Sequence, residues 1–410
     1  MQTRKRLLVV GSGAAEAYRL YSLESIARAF DVVLLDDAPP TWQSPHVVDA
    51  VVTPFDEALD ALDPLLAEQP VDGVMTWDER RLDLVARIAT RHGLRGPAPE
   101  VVEACRDKWR TRSVLAAAGV PSARSILTRT VDEAIDAARE IGYPVVVKPR
   151  SLAGSIGVQR VDHPDGMRSA WELADGAVMA TVIARPGVLV EEYLTGDEFS
   201  LECVTADGAT DVVAITRKQV GSPPYFEELG HVVDAADRAS GWADEAADVA
   251  RRALDALGVR VGVSHVEVRI DGSGPRIIEV NGRLGGDLIP HLVHLATGVD
   301  LSLAAACVAT GVEVPRAPVI SRAAGIHFFT PPEAGTFVEH RVGSWADEPW
   351  VERCVWVRAH GDRMGLPPDV FMARLGFAVL TGDDAETVRE RARIAAAGTR
   401  ITMGSAAVAR

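Results

Sequence analysis

The chain has 410 residues and a mass of 43.8 kDa, and at about 150 residues per domain this length predicts two or three domains. A net charge of −15 argues against a general nucleic-acid-binding or anionic-membrane-binding surface, and no apolar run approaches the roughly 18 residues of a membrane span. The N-terminal apolar run Leu7–Val10 is too short for a signal-peptide core. Four scattered cysteines without a Cys-x-x-Cys pair predict four buried thiols in a reducing compartment, so we expect a cytoplasmic protein.

A β-α-β unit is predicted at the N-terminus. The strand Leu7–Val10 runs into Gly11, Ser12 and Gly13, a helical stretch follows to about Phe30, and a second strand covers 32–35. Glu16 stands at the third glycine position of a Gly-x-Gly-x-x-Gly motif, where its carboxylate would lie near a pyrophosphate. This departure argues against a nicotinamide or flavin site.

A further strand is predicted at Gly73–Trp77, followed by a helix from about Arg80 to His92. Residues 1 to about 100 therefore predict an open parallel α/β domain, in which a ligand cleft lies at the carboxyl ends of the strands. Glu79 falls in this cleft.

The middle of the chain alternates helical and strand patterns. A helix is predicted over Glu100–Ala118, because Gly119, Val120 and Pro121 form a helix stop. A β-branched strand then ends on Lys148, and a small-residue loop, Ser151–Gly157, follows it.

Antiparallel strands are predicted beyond this loop, at 188–192 and 198–205. A third segment is expected from about Glu313, with strands near 322–329 and 376–380 and a helix from about 384 to 397.

Lysine is rare in this chain. Only four of the 43 cationic residues are lysine, namely Lys5, Lys108, Lys148 and Lys218. Lysine provides a compact ammonium group and arginine a planar fork, so a site shaped for one does not accept the other without change. We interpret Lys5 as a solvated surface charge and the other three as candidate site residues.

The most specific pattern is a β-hairpin over 264–281, in which two β-branched runs flank a glycine-rich turn. If the hairpin is centred on Ser273, Glu267 faces Glu279 and His265 faces Asn281, with all four on one face. Val266, Val268, Ile278 and Val280 are then expected on the other face.

Directly opposed carboxylates on neighbouring strands repel each other and require a cation. Glu267, Glu279 and Asn281 supply hard oxygen ligands of the kind that Mg²⁺ prefers. In the alternative interpretation, both glutamates face water on an edge ribbon and repel only weakly. Arg283, two residues beyond Asn281, favours the metal interpretation, because an arginine close to a metal–phosphate site neutralises charge that develops on oxygen.

Four stretches in this order resemble the ATP-grasp superfamily: Arg106–Trp109, Val147–Pro149 before the small-residue loop, Glu191–Phe199 and Glu279–Arg283. Within that superfamily the chain is most similar to the ligases that join the carboxylate of one amino acid to the amine of another. After Arg283 the chain departs from the biotin carboxylase pattern, which argues against bicarbonate chemistry.

The resemblance implies an α/β (α+β) ATP-grasp fold. Its parts would be an N-terminal open parallel α/β domain at 1–115, a small lid subdomain at 116–190 and a C-terminal antiparallel-sheet ATP-grasp domain at 191–410. An α+β subdomain would begin within the last part at about residue 313.

The resemblance also implies a role for each matched residue. Lys108 and Lys148 would contact ATP phosphates beneath a flap formed by Ser151–Gly157, which includes Ser151, Gly154, Ser155 and Gly157. Glu191 and the main chain of Glu192 and Leu194, with Tyr193 between them, would meet the adenine, and Glu198 would bind the ribose. Glu267, Glu279 and Asn281 would hold Mg²⁺ or Mn²⁺. The catalytic and substrate-binding set would comprise Arg283, His231, Lys218, Glu79 and Gly285.

These roles imply an ATP-dependent carboxylate–amine ligase that joins two amino acids, or an amino acid and another amine, through an acyl phosphate. Its partners would be small amino-acid substrates without nucleic acid or membrane, and a homodimer is compatible with the sequence. The alternatives are a ligase with another acceptor, such as a carrier-protein thiol or an amino sugar, and a non-catalytic nucleotide-binding protein.

Glu79 has two interpretations. Its carboxylate could bind the ammonium group of one substrate, since a desolvated ammonium needs a carboxylate partner. Alternatively, Asp78 and Glu79 are helix N-terminal charges stabilised by the helix dipole.

Overall fold

A computed structural model describes residues 4–13, 15–179, 185–318 and 320–404. The described residues combine a parallel N-terminal sheet with antiparallel sheets and flanking helices, which confirms the predicted α/β (α+β) class.

The N-terminal sheet is parallel and has four strands in the order β3-β2-β1-β4. Apolar side chains fill its interior, because strands covered by helices on both faces have no side exposed to water. The strands are β1 Arg6–Val10, β2 Asp31–Asp36, β3 Asp49–Val52 and β4 Gly73–Met75, and the helices are α1 Glu16–Ala29, α2 Ala58–Glu68 and α3 Leu82–His92.

The single helix predicted over Glu100–Ala118 is wrong, because the structure divides it into α4 (Pro99–Arg106) and α5 (Lys108–Ala117). Asp107 has an extended backbone between them, and its carboxylate accepts hydrogen bonds from the backbone N–H of Trp109 and Arg110. An aspartate in this position is a helix N-cap, so the break is built into the sequence. It places Lys108 at the first position of a new helix.

A small antiparallel sheet follows, with the strand order β5-β8-β6-β7. The small-residue loop follows β6, as predicted, and connects it to β7. The elements are β5 Ser125–Thr128, α6 Val131–Ile141, β6 Val145–Pro149, β7 Gln159–Val161, α7 Met167–Asp175 and β8 Val188–Glu192.

The largest sheet is antiparallel and has eight strands in the order β13-β12-β9-β10-β11-β14-β18-β16. Strands from the predicted third segment continue this sheet, because β14 pairs with β11. Its strands are β9 Asp197–Ala206, β10 Ala209–Val220, β11 Glu228–Asp234, β12 Gly262–Asp271, β13 Gly274–Asn281, β14 Ala323–Phe329, β16 Val351–Trp356 and β18 Gly376–Gly382. A separate three-stranded sheet contains β15 Gly335–Val342, β17 Arg363–Met364 and β19 Thr399–Gly404. The helices are α8 Ala243–Ala256, α9 Ile289–Thr297, α10 Leu301–Thr310 and α11 Ala385–Ala397.

Within the described ranges no single helix is long and apolar enough to cross a membrane. By length and composition alone, α9 and α10 together are long and apolar enough to form a broken membrane span, with a bend of 104° between them. Cys105, Cys203 and Cys307 are buried thiols as predicted, whereas Cys354 is half-buried on a sheet-edge strand, which corrects the prediction for that residue.

The contacts of Asp107 at the break between α4 and α5 lead to a prediction about the free energy of unfolding. Asp107 also binds both nitrogens of the Arg150 fork, at 2.8 and 2.6 Å. We expect Asp107→Ala to lower the free energy of unfolding by about 2–4 kcal/mol, because it removes a cap and leaves a guanidinium without its partner. Urea denaturation measures this loss.

Asp384→Ala is the matched control. Asp384 caps α11 by accepting from Thr387 N–H but is exposed. Its loss is expected to cost about 1 kcal/mol. Equal losses in the two variants would mean that the contact between Asp107 and Arg150 adds no stability.

Candidate active site

A cavity of about 770 Å³ opens between the carboxyl ends of β1 and β4, the small sheet and one face of the eight-stranded sheet. Most of the candidate residues predicted from the sequence line this cavity, although they are spread along the chain from residue 79 to residue 283. They are Glu79, Lys108, Lys148, Ser151, Gly154, Ser155, Glu191, Glu192, Tyr193, Leu194, Glu198, Lys218, Glu267, Glu279, Asn281 and Arg283.

The hairpin pairs its strands as predicted at the end that lines the cavity. Glu267 lies opposite Glu279, and His265 lies opposite Asn281. Beyond Glu267 the pairing shifts by one residue, so Ile277 rather than Ile278 faces Val268 and joins the core, which corrects the predicted apolar face. Such a β-bulge leaves one residue outside the ladder. Here Ile278 lines the cavity.

Buried cations compensate the two facing carboxylates. Glu267 lies 3.0 Å from Lys218 Nζ and 3.2 Å from His265 Nε2, while Glu279 Oε1 lies 3.0 Å from Lys108 Nζ. Burial alone would raise the pKa of Glu267, but the two cations outweigh burial and hold the pKa well below its usual range. Glu267 is therefore ionised at neutral pH.

His265 is one of these cations. Glu202 lies 3.0 Å from its Nδ1, so the imidazole stands between two carboxylates. Burial would lower the pKa of His265, but Glu202 and Glu267 outweigh burial and raise it to about 9. The imidazolium form is then present at neutral pH.

The donor set at the end of the hairpin fits a magnesium ion. Glu267, Glu279 and the buried side chain of Asn281 offer oxygen ligands on one face, and Mg²⁺ binds through one or two carboxylates together with water and substrate phosphate. Lys108 and Lys218 lie beside these carboxylates.

Lys218 lies among three carboxylates. Its Nζ is 2.7 Å from Glu228, 3.0 Å from Glu267 and 3.3 Å from Glu198. Burial would lower the pKa of this ammonium group, but the three carboxylates raise it well above its ordinary value. Lys218 thus acts here as a fixed positive charge and is unsuited to accept a proton.

The expected substrate contact of His231 is not supported. His231 lies opposite Lys218 across β10 and β11, but its side chain is fully buried. Its ring packs edge-on against Phe328, and Nε2 lies 3.1 Å from Asp287. His231 therefore positions Asp287, which lines the cavity.

Asp287 and Arg374 are cavity residues that the sequence analysis missed. Arg374 Nη2 is 2.8 Å from Asp287, and the second nitrogen of the fork binds the other carboxylate oxygen. The pair joins the loop before α9 to a segment 87 residues away, and no local pattern marks such a contact. The potential metal-ligating atoms of Glu228, His231 and Asp287 lie within 4.8 Å of one another. The guanidinium of Arg374 already lies beside both carboxylates and supplies the positive charge that a metal ion would bring.

Glu191 has a different role from the one expected, because both of its oxygens are already bound. Arg112 donates to them at 2.8 and 3.0 Å, and Lys148 Nζ lies 2.5 Å from Oε2. Burial would raise the pKa of Glu191, but these two cations outweigh burial and lower it to about 2. The carboxylate holds Lys148 in place, and the adenine contact remains a prediction for the main chain of Glu192 and Leu194.

The neighbouring nucleotide candidates are also held by arginines. Arg276 Nη1 lies 2.8 Å from Glu192, and Arg269 binds Glu198 at 3.0 Å and the Tyr193 hydroxyl at 3.2 Å. These contacts attach β8 and the segment after it to the hairpin.

The predicted flap covers one wall of the cavity. Lys108 Nζ donates to the carbonyl of Leu152 at 2.6 Å, which ties the loop to α5. Gly154 and Gly157 have φ values of +68° and +73°, a region that favours glycine. A side chain at Gly154 would also collide with the sulfur of Met372, so the loop touches the C-terminal segment closely.

Glu79 binds two arginines, which corrects the expected contact with a substrate ammonium group, whereas the helix-terminal interpretation holds for Asp78. Glu79 Oε2 accepts from Arg283 Nε at 2.7 Å and its Oε1 accepts from Arg106 Nε at 3.1 Å. Asp78 alone acts as the cap, accepting from Arg80 N–H. Glu79 therefore positions Arg283 and is not free to receive a substrate ammonium group.

Gly285 lies against the protein interior, where a Cβ would come within 3.0 Å of His265 Nδ1. Gly286 instead lines the cavity. Gly285 itself does not line the cavity in which its substrate contact was expected.

Domain models match the chain over most of its length. An ATP-grasp domain model matches residues 141–291, and a second ATP-grasp domain model matches 102–154. The model of the L-amino acid ligase C-terminal domain 2 matches residues 327–404.

Curated proteins also match the chain in sequence. An uncharacterized protein, y4rH, of Sinorhizobium fredii is 32% identical over 314 residues, which cover 73% of this chain and 62% of that protein. The alanine–anticapsin ligase of Bacillus subtilis is 27% identical over 275 residues, 61% of this chain and 56% of the ligase. The matches thus span little more than half the length of these curated relatives.

Solved structures share the fold. The L-amino acid ligase of Bacillus licheniformis superposes with a TM-score of 0.81 at 24% identity, over 99% of this chain and 100% of that one. A biotin carboxylase from Campylobacter jejuni gives a TM-score of 0.71 at 17% identity, over 97% and 92% of the two chains. The matched models show ATP-grasp domains over residues 102–291, and the solved structures share the fold of the chain.

Proposed function

We propose that the protein is an ATP-dependent ligase that joins the carboxylate of one amino acid to the amine of another. The observation that carries this proposal is the convergence of two facing carboxylates, Lys108, Lys148 and Arg283 on one cavity. Further support comes from the match to the L-amino acid ligase C-terminal domain, and from the similarity to a relative named alanine–anticapsin ligase.

The proposed reaction has two steps. An oxygen of the substrate carboxylate forms a bond to the γ-phosphorus of ATP, the bond to the β,γ-bridging oxygen breaks, and ADP leaves with that electron pair. The amine nitrogen then attacks the acyl carbon, the bond between that carbon and the phosphate oxygen breaks, and phosphate leaves while the nitrogen loses a proton. In such a transfer the protein mainly positions the reactants and stabilises charge.

The residues of the chain divide these tasks. Lys148 and Lys108 supply ammonium groups for the phosphates, and Arg283, oriented by Glu79, faces the carboxylate that becomes phosphorylated. Glu267, Glu279 and Asn281 would hold Mg²⁺, which neutralises phosphate charge when bound. The loop 151–157 would exclude water from the acyl phosphate.

An assay of ADP and phosphate release tests the proposal. The purified protein is incubated with ATP and Mg²⁺ over a matrix of the twenty amino acids, alone, in pairs, and each with a thiol or an amino sugar, with mass spectrometry of the products. We expect ADP release that depends on a pair and matches the dipeptide formed. Release that requires a thiol or an amino sugar, or no release with any acceptor, would contradict the proposal.

Glu279→Gln tests the metal-binding end of the hairpin. We expect ligation to fall by more than about 100-fold, the upper end of the loss seen for outer-shell partners of metal ligands. Loss of the contact with Lys108 means that stability should not increase, despite the removal of a facing charge. Thermal unfolding and ligation rates at several Mg²⁺ concentrations measure both effects.

Asp271→Asn, at the turn of the same hairpin, is the control and should keep wild-type activity. Near-wild-type ligation by Glu279→Gln at low Mg²⁺ would show that Glu279 does not bind the metal.

Lys148→Met tests the phosphate contact. Lys148 is buried in the cavity wall, whereas Lys5 is exposed and pairs with Asp72. Since a charge-assisted hydrogen bond contributes about 1.5–3 kcal/mol, we expect the Kd for ATP to rise by about 10-fold or more. Lys5→Met should leave it unchanged, because exposed ion pairs contribute little. If isothermal titration calorimetry gave equal Kd values for ATP in the two variants, a contact between Lys148 and the phosphates would be excluded.

A further inference from the structure

Arg19 differs from the other buried and half-buried cations of the cavity. It lies in the first turn of α1, is half-buried and lines the cavity. None of the residues that the structure describes forms a hydrogen bond or an ion pair with its guanidinium. Carboxylates bind the neighbouring cations, in the pairs Lys108–Glu279, Lys148–Glu191, Lys218–Glu267, Arg269–Glu198, Arg283–Glu79 and Arg374–Asp287.

Neighbouring residues define where the Arg19 side chain lies. A Cβ at Gly13 would lie 3.7 Å from Arg19 Cγ, so the stem of the arginine runs beside this glycine. The indole of Trp77 donates to the carbonyl of Ser12 at 3.0 Å and holds the glycine loop in place. The arginine therefore rests on an ordered surface at the carboxyl ends of β1 and β4.

The charge around Arg19 is unbalanced. Burial lowers the pKa of Arg19 and the charge of Arg283 acts in the same direction, while Tyr21, Asp78 and Asp287 act in the opposite direction. Both of these carboxylates are already bound, to Arg80 and Arg374. A guanidinium stays charged in proteins. An anionic ligand in the cavity would give this charge the kind of partner that the neighbouring cations already have.

We propose that Arg19 binds the non-reacting α-carboxylate of the amino acid that supplies the amine. This inference rests on the proposed function. The reacting carboxylate belongs at Arg283 and the lysines, on the phosphate side of the cavity. The amino acid that supplies the amine keeps its own α-carboxylate throughout the reaction, and the planar fork of Arg19 matches such a group. The enzyme would then prefer amino acids to simple amines as acceptors.

The experiment compares acceptors with and without that carboxylate. For an amine substrate found in the ADP-release matrix, KM and kcat are measured with the amino acid and with its α-carboxamide. In Arg19→Gln we expect KM for the amino acid to rise by 10-fold or more, with kcat and KM for ATP within about threefold. KM for the carboxamide should not change, and Arg19→Lys should restore part of the affinity.

Arg28→Gln is the matched control, because Arg28 lies on the same helix with its side chain 79% exposed. It should behave as the wild type. Equal KM values for the amino acid in Arg19→Gln and the wild type would overturn the inference. An effect of Arg19→Gln confined to substrates with acidic side chains would also overturn it, since the α-carboxylate would not be the group bound.

A binding measurement separates this inference from the proposed function. If the wild type releases no ADP with any pair of amino acids, the proposed function is wrong. The thermal-unfolding midpoint with L-amino acids and with their carboxamides still tests Arg19. Stabilisation that requires the carboxylate and disappears in Arg19→Gln supports the assignment, and the same response in both proteins contradicts it.

Discussion

The cavity depends on two glutamates that face each other across one β-hairpin. Glu267 and Glu279 would repel each other at this separation, so the fold surrounds them with positive charge. Lys218 and His265 compensate the first and Lys108 the second. His265 belongs to the hairpin itself, but Lys108 and Lys218 come from other parts of the chain, and the need to neutralise one pair of carboxylates therefore brings distant segments together.

The buried cations in turn require partners of their own, and these contacts connect the sheets. Arg283, just after the hairpin, binds Glu79 at the end of the N-terminal sheet. Arg112 binds Glu191 of the small sheet and also the carbonyl of Ile278, which the bulge leaves outside the ladder. Since removing one partner from a buried ion pair is costly, such contacts specify the arrangement of the site even where they add little stability.

Local patterns and tertiary contacts contributed differently to the prediction. The hairpin register at Glu267 was predictable, because side chains alternate along a strand and a glycine-rich turn marks the centre. The break at Asp107 was missed, since the pattern around it continues to look helical until the cap is recognised. His231 was expected in the substrate site, but the tertiary packing of Phe328 and Asp287 places it behind the cavity wall.

The sequence by itself determined the α/β class, some of the strands and helices, the set of scarce lysines and the facing glutamates. Each of these follows from periodicity, turn chemistry or residue type, which act over a few residues. Only the tertiary structure decided which charges pair. Glu79 and Glu191 appeared free to meet a ligand, but Arg283 and Lys148, far away in sequence, bind them. For the same reason none of the described residues pairs with Arg19, because the balance of buried charge is a property of the assembled cavity and is not encoded in any single segment.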